Sequence, residues 1–384
     1  MYEELEGLKA KGIYEEVEHL PPGRKAVGSK WVLHIKCDKD FRITCFKARL
    51  VAKGFTQIPG QDFTSTFAPT AFWESIHTLL TLTAIYDWEL QQVDVKTEFL
   101  NGPLDEEIYM HKPDIMGSGY WHLRKGLYGL RQSGRQWYLD LNSKLESIGF
   151  RHIEPNWSIH ICRSLKTQTI AATNIDDMLL TSTTTAKSDT IVTDISKHYE
   201  ITDNRDVNFH LGCTIIRWQT CGTIKVHQEA FTISILHNAG MKNSKPVSTP
   251  MNPGIRLTSE MCPTTDTEKT RVHALFPYCT VVGKCMYLSV CTCPDISYTV
   301  CELARFMSNY GEDHILTLKH LLCYLSGTCS HGLLSGQKDA PYPTFHALSD
   351  SDWGVGDGQK SILGFFIMLG DSPLSLELKT TGHL

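Results

Sequence analysis

Three aspartates stand out as residues that could do chemistry. Val93-Asp94-Val95 puts one carboxylate at the end of an apolar strand pattern, and Asn174-Ile175-Asp176-Asp177-Met178 puts two adjacent carboxylates between apolar arms. Acidic side chains beside buried strands repel one another unless a cation lies between them. Hard oxygen donors suit Mg²⁺, which keeps waters and binds through one or two carboxylates plus substrate phosphates. Two such ions about 4 Å apart stabilise an attacking and a leaving oxygen in line. If Asp94 meets Asp176 and Asp177 in space, the chemistry is phosphoryl or nucleotidyl transfer. If it does not, the Asp-Asp pair is an ordinary turn.

The elements that must position these acids follow from periodicity. Glu89 to Val95 reads as a strand, and Ile170–Ile175 and Met178–Leu180 read as two strand arms around the acid pair. Trp31–Lys36 and Cys45–Ala52, joined at Asp38-Lys39-Asp40, form a hairpin pattern. Helices are expected over 73–86, 132–149 (ended by Gly149), 186–199 and 228–240, and strands near 209–218 and 222–227. The Pro-, Ser- and Thr-rich stretch 246–268 reads as a linker and the main domain boundary. Beyond it, 277–327 looks helical and 344–379 looks like strands with Gly turns. Helices mix with antiparallel strands without strict β-α-β alternation, so the fold class is α+β.

The chain has 384 residues, enough for two or three domains, and a hydrophobic fraction of 41% that argues for a real core. Lys and Arg number 37 against 42 Asp and Glu, a net charge of −5. The charge is unevenly placed. Residues 24–54 hold Arg24, Lys25, Lys30, Lys36, Lys39, Arg42, Lys47, Arg49 and Lys53 against Asp38 and Asp40, and a second patch holds Arg124, Lys125, Arg131 and Arg135. Each patch reads either as a phosphate-tracking groove or as a solvated sheet face. The thirteen cysteines include no C-x-x-C pair, and no His follows Cys291-Thr292-Cys293 at zinc-ligand spacing. No apolar run nears the roughly 18 residues of a membrane span, and the N-terminus lacks a signal-peptide core. A cytoplasmic or nuclear protein, not secreted and with no membrane partner, is expected.

Longer words narrow the reading. They are Lys30-Trp31-Val32, Lys47-Ala48-Arg49-Leu50-Val51-Ala52-Lys53-Gly54-Phe55, Thr66-Phe67-Ala68-Pro69, Asp94-Val95-Lys96-Thr97 and Phe99-Leu100-Asn101-Gly102. Further on come Leu127-Tyr128-Gly129-Leu130, Arg135-Gln136-Trp137-Tyr138, Lys245-Pro246-Val247-Ser248-Thr249-Pro250-Met251, Tyr287-Leu288, Pro294-Asp295-Ile296 and Ser349-Asp350-Ser351-Asp352-Trp353-Gly354. With these words in this order, the chain resembles the reverse transcriptase of copia-type (Ty1/copia) LTR retrotransposons from about residue 10 to its end.

That resemblance implies a right-hand polymerase of fingers, palm and thumb, followed by a connection and a partial RNase H-like region. It implies an N-terminal extension (1–29), fingers and palm (30–200), primer grip and thumb-like part (201–245), linker (246–268), connection helices (269–340) and a truncated RNase H-like region (341–384). The activity implied is RNA-directed DNA polymerase, with Asp94, Asp176 and Asp177 holding two Mg²⁺ or Mn²⁺ ions. The partners implied are an RNA or DNA primer-template, dNTP and retroelement particle proteins. Lys47 and Arg49 fall where the family reaches the triphosphate, with no choice between them, and Arg135 is also placed at the substrate. Phe99 falls where a bulky ring rejects a 2′-hydroxyl; on spacing alone it is a core aromatic. Gly129 lies in the loop under the template base, Leu211-Gly212 resembles the primer grip, and helix 228–240 resembles the thumb.

Asp350 matches the first RNase H aspartate, but the family's next acid does not follow, so no RNase H activity is expected. The ending Thr380-Thr381-Gly382-His383-Leu384 looks like a frame change or early stop, and Gly358-Gln359-Lys360-Ser361 lacks the spacing of a P-loop. Departures from the pattern are Asn174 in place of an aromatic, Glu98 in place of a small residue, Ser133-Gly134 in place of Ala-Pro and Cys293 in place of Arg. They keep open a degenerate retroelement remnant that retains fold and nucleic-acid binding only, or a pseudo-domain with no partner.

Overall fold

A computed structural model describes residues 1–37, 42–336, 343–351 and 361–381. The expected turn Asp38-Lys39-Asp40, the words Asp352-Trp353-Gly354 and Gly358-Gln359-Lys360, and the last three residues lie outside the described residues. The chain divides into two compact units, Met1–Ala71 with Glu89–Arg205, and Phe72–Trp88 with Asp206–Leu384. Helices and antiparallel sheets occur in both, an α+β architecture.

In the first unit, β1 (Tyr14–Val17) pairs with β6 (Tyr120–Lys125), which pairs with β5 (Pro103–His111). Helix Tyr2–Ala10 contributes Leu5 and Leu8 to a core with Ile13, Ile108, Met110 and Trp121. The ribbon β2 (Ser29–Cys37) and β3 (Ile43–Ala52) pairs Val32 with Arg49, Leu33 with Ala48, His34 with Lys47 and Ile35 with Phe46. Because side chains alternate, Lys47, Arg49 and His34 share one face while Leu33, Ile35 and Phe46 share the other.

The central sheet runs β11-β4-β10-β9-β8-β7, built from β4 (Glu89–Val95), β7 (Arg151–Ile153), β8 (Asn156–Arg163), β9 (Gln168–Asn174), β10 (Asp177–Ser182) and β11 (Ile201–Asn204). Val93, Val95, Met178 and Leu180 point to one face, where Trp137, Leu141 and Leu145 of helix Ser133–Ser147 and Ile191 and Ile195 of helix Thr185–Ser196 cover them. The opposite parity carries Gln92, Asp94 and Asp177. A one-residue slip would drive those carboxylates into the apolar core, so burial of the valines fixes the register that pairs the acids. Helix Ser133–Ser147 ends before Gly149, which takes φ +97°.

The second unit has a sheet of β12 (Phe209–His210), β13 (Cys213–Trp218), β14 (Thr223–His227) and β15 (Gly332–Ser335), and another of β16 (Phe345–Ser351), β17 (Ser361–Leu369) and β18 (Ser372–Thr381). Helices Glu229–Asn238, Tyr278–Cys291, Ser297–Ala304 and Glu312–Thr328 enclose a core of Ile235, Tyr278, Val282, Leu288, Leu303, Leu318 and Leu322. The 246–268 stretch lies within this unit, and Leu257, 2% exposed, joins that core with Met251 and Met261 packed beside it. No single helix among the described residues is long and apolar enough to cross a membrane, although the bent pair Asp266–Leu275 and Tyr278–Cys291 meets that test by length and composition.

Two buried histidines make stability pH-dependent. Burial pushes His160, in the first unit, and His210, in the second, down to about 4 from the ordinary 6.5. His160 is also lowered by His152, and its Nε2 lies 3.1 Å from Asn142 Oδ1. Neither ring nitrogen of His210 has a partner among the described residues. A base with a depressed folded pKa is neutral when folded and protonated when unfolded between the two values. Stability is therefore lost as pH falls from 6.5 towards 4, by up to about 3 kcal/mol per histidine. Glu98 and Asp177, whose carboxyl pKa values are raised, act in the opposite sense. The His210 share is thus read as a difference: between pH 7 and 4.5, denaturant midpoints of His210→Phe should fall less than those of the wild type. Parallel curves would contradict this.

Candidate active site

The antiparallel register makes Asp177 and Asp94 direct partners, and such pairs have Cα atoms about 5 Å apart. Asp176 is held to the same place because Val95 N–H donates to its carbonyl oxygen at 2.9 Å. The three acids that stand 82 or more positions apart in sequence, Asp94 against Asp176-Asp177, thus meet at one end of two neighbouring strands. Gln92, two residues before Asp94 and on its face, donates from Nε2 to Asp177 Oδ1 at 3.0 Å. Burial raises the Asp177 carboxyl above its ordinary value, and repulsion from Asp176 and Asp94 adds to it, against the Gln92 bond.

Glu98 begins the short 3₁₀ turn Glu98–Leu100 and is 7% exposed. Burial raises its carboxyl too; Asp176 and Asp94 push the same way, while Arg49 pulls it down. Asp94 and Asp176 thus act electrostatically on both Asp177 and Glu98, a concentration of acidic groups that a divalent cation would relieve. Among the described residues, no group of three or more His, Cys, Asp or Glu is arranged to hold a metal ion. Carboxylate oxygens are hard donors, the kind a Mg²⁺-like cation takes one or two of while filling its shell with water and phosphate oxygens.

The other expected residues are placed as follows. Arg49 sits with Cζ 5.0 Å from the Tyr128 ring centroid, beside Glu98. Lys47 lies on the same ribbon face, two residues away and paired with His34. Phe99 meets Tyr128 edge-on, centroids 5.6 Å apart, and lines a cavity of about 120 Å³ with Pro69, Gly134, Trp137 and Ile175. Gly129 has φ +88°, and a Cβ there would lie 2.2 Å from the Ala52 carbonyl oxygen. Arg135 donates from Nη1 to the Phe67 carbonyl at 3.3 Å, tying the 66–69 segment to helix Ser133–Ser147.

In the second unit, Leu211 and Gly212 both take positive φ, 45° and 75°, and form the two-residue turn between β12 and β13. The Tyr287 hydroxyl donates to the Leu211 carbonyl. Asp350 is exposed on β16, and its Oδ1 accepts from the Ser351 N–H at 2.9 Å.

Two contacts at the candidate site were not read from the sequence. Gln92 has a signal, parity, since it shares a strand face with Asp94. The hydrogen bond from the Trp137 indole N–H to the Ile175 carbonyl, 2.7 Å, joins residues on different elements, and no pattern announces it.

Comparison with known proteins gives a consistent outcome. Residues 12–253 match the family described as reverse transcriptase (RNA-dependent DNA polymerase). The Retrovirus-related Pol polyprotein from transposon TNT 1-94 of Nicotiana tabacum is 37% identical over 99% of this chain and 29% of that polyprotein. The one from transposon RE1 of Arabidopsis thaliana is 34% identical over 92% of this chain and 24% of its own length. The chain therefore spans less than a third of either plant polyprotein. Among solved structures, the foamy viral protease-reverse transcriptase dRH in complex with double-stranded DNA aligns with a TM-score of 0.51 at 12% identity, over 97% of this chain and 54% of that one. At that identity the likeness concerns the fold.

Proposed function

The chain belongs to the copia-type retrotransposon reverse transcriptase family, and we propose on that footing that it is an RNA-directed DNA polymerase extending a primer 3′-hydroxyl with dNTP on a primer-template. The single observation that carries the reading is the register pairing Asp177 with Asp94, with Asp176 tied to Val95. Asp94, Asp176 and Asp177 would hold Mg²⁺ or Mn²⁺. A bound pair of such ions would activate the primer hydroxyl and neutralise the leaving pyrophosphate.

The chain's own residues account for the rest. Gln92 orients the Asp177 carboxylate through its 3.0 Å bond. Arg49, fixed over Tyr128, is the cation for the triphosphate, and its planar guanidinium suits bidentate phosphate contact. Lys47, on the same ribbon face, adds charge along the incoming strand. Arg135 holds the 66–69 segment that borders the cavity under Phe99. Fingers and palm are assigned to 30–200, the primer grip and thumb-like part to 201–245, and the connection and RNase H-like remnant to residues beyond 268.

A second reading, a remnant that binds nucleic acid without turnover, is favoured by Glu98. A buried carboxylate beside Asp94 and Asp176 competes for cations and repels phosphate. Primer extension on poly(rA)/oligo(dT) with Mg²⁺ or Mn²⁺ separates the two. Incorporation of dTMP supports the polymerase, and salt-dependent primer-template binding without incorporation supports the remnant.

Phe99 gives a sharper expectation. If its ring lies under the sugar, Phe99→Ala should lower the preference for dTTP over UTP by roughly 10- to 100-fold, because steric exclusion of one hydroxyl is lost. An unchanged preference, measured as the ratio of kcat/KM values, would return Phe99 to the role of a core aromatic.

A further inference from the structure

The Asp176-Asp177 hairpin closes through the two-residue turn Ile175-Asp176, since Asn174 pairs with Asp177. Ile175 takes φ +57°. A β-branched side chain is a poor occupant of the left-handed region, and such a conformation persists only where its surroundings over-determine it. Both carbonyls of this turn are claimed by other elements. Val95 N–H takes that of Asp176, and the Trp137 indole N–H takes that of Ile175 at 2.7 Å.

Trp137 is itself immobilised. It is 2% exposed on helix Ser133–Ser147 and is met edge-on by Tyr199, centroids 5.0 Å apart. The Tyr199 hydroxyl donates to Asp140 Oδ2 at 2.8 Å on the same helix. Its neighbours Leu141, Val93, Val95 and Met178 are apolar, so packing there calls for a large ring but not for a donor. The donor is used on the strained turn.

We infer that Trp137 is a positioning residue for the hairpin aspartates: its N–H locks the left-handed Ile175 turn and so keeps the Asp176 and Asp177 carboxylates beside Asp94. This rests on the proposed metal-binding role of those three acids. The turn is held from outside by two hydrogen bonds, from the Val95 N–H and from the Trp137 indole N–H.

Replacing the Trp137 indole by an isosteric benzothiophene keeps the ring and deletes the N–H, and Trp137→Phe deletes both the N–H and part of the ring. Two readouts need no turnover. Amide hydrogen exchange at residues 174–178 should accelerate roughly tenfold in the benzothiophene protein while helix Thr185–Ser196 stays protected. Mn²⁺ affinity, followed by electron paramagnetic resonance, should weaken about tenfold through the misplaced carboxylates. Where the wild type turns over, kcat should fall with KM for dNTP nearly constant. Unchanged exchange and Mn²⁺ affinity in the benzothiophene protein would overturn the inference, whatever Trp137→Phe does. A wild type that incorporates no nucleotide but shows both responses would overturn the polymerase reading and uphold the role of Trp137.

Discussion

Asp176→Asn is expected to reduce nucleotide incorporation by about a thousandfold or more, with the fold intact. The substitution is nearly isosteric, and the backbone bond from Val95 N–H to the residue 176 carbonyl does not depend on the side chain. What is lost is one negative charge at the end of the β4–β10 pair. On the proposed reading, a cation there would draw on one or two carboxylates among Asp94, Asp176 and Asp177, and the rest of its shell would come from water and phosphate. Removing a charged ligand from so small a set both weakens cation binding and shifts the reacting oxygens, each of which is costly in rate. The loss of charge also relieves Asp177 and Glu98, whose raised carboxyl values owe part of their shift to Asp176. Asp176→Asn should therefore be as stable as the wild type, or more so, towards denaturant near neutral pH. Incorporation at near wild-type rate would remove Asp176 from the site.

The second large effect is structural. Gly129→Ala should destabilise the first unit by about 3–5 kcal/mol, adding left-handed strain to overpacking. The new methyl would lie 2.2 Å from the Ala52 carbonyl oxygen and 2.6 Å from Val51 Cγ1, at φ +88°. The opposite wall is as tight, because a Cβ on Gly54 would lie 2.1 Å from the Gly129 carbonyl oxygen. Two glycines thus let the 127–130 loop press directly on the end of β3, where Ala52 N–H donates to the Tyr128 carbonyl at 2.7 Å. Tyr128 in turn carries Arg49, so the loss should also weaken dNTP binding. Gly60→Ala is the control: φ is +78° but nothing lies within 4 Å, and the cost should be about 1 kcal/mol. Equal denaturant midpoints for the two variants would show that close approach is not what Gly129 is for.

The parts of the site that were legible in the sequence share one property: their cause is local. Val93-Asp94-Val95 fixes parity by alternation, and the apolar arms around Asp176-Asp177 read as a hairpin that the structure forms as β9 and β10. Gly149 ends helix Ser133–Ser147 as expected. That Asp94 pairs with Asp177 was a conditional expectation, since pairing across 83 positions has no local signature. Strands β5 and β6 went unread because Asp105-Glu106-Glu107 breaks the apolar alternation of β5, while β6 takes its second partner, β1, from a segment about a hundred residues away. Strands β7 and β8, within 151–163, were also unread, although their partners are the neighbouring segments.

Glu98 shows another limit. A charged residue is expected at the surface, yet this one is 7% exposed, because the 3₁₀ turn after Asp94 points it inward. The roles of Phe99, Gly129 and Arg135 came from family resemblance. Spacing by itself offered a core aromatic for Phe99, and for the patch holding Arg135 either a phosphate-tracking groove or a solvated sheet face.

The convergence of the three acids on shared ions is most directly tested by iron-mapped cleavage. Fe²⁺ loaded in place of Mg²⁺, then treated with ascorbate and peroxide, cuts backbone close to where it is bound. Paired cuts near Asp94 and near Asp176-Asp177, suppressed together by excess Mg²⁺ and lost together in Asp176→Asn, are the expected result. Cutting at only one of the two segments, or paired cuts that persist in Asp176→Asn, would contradict a common ion site.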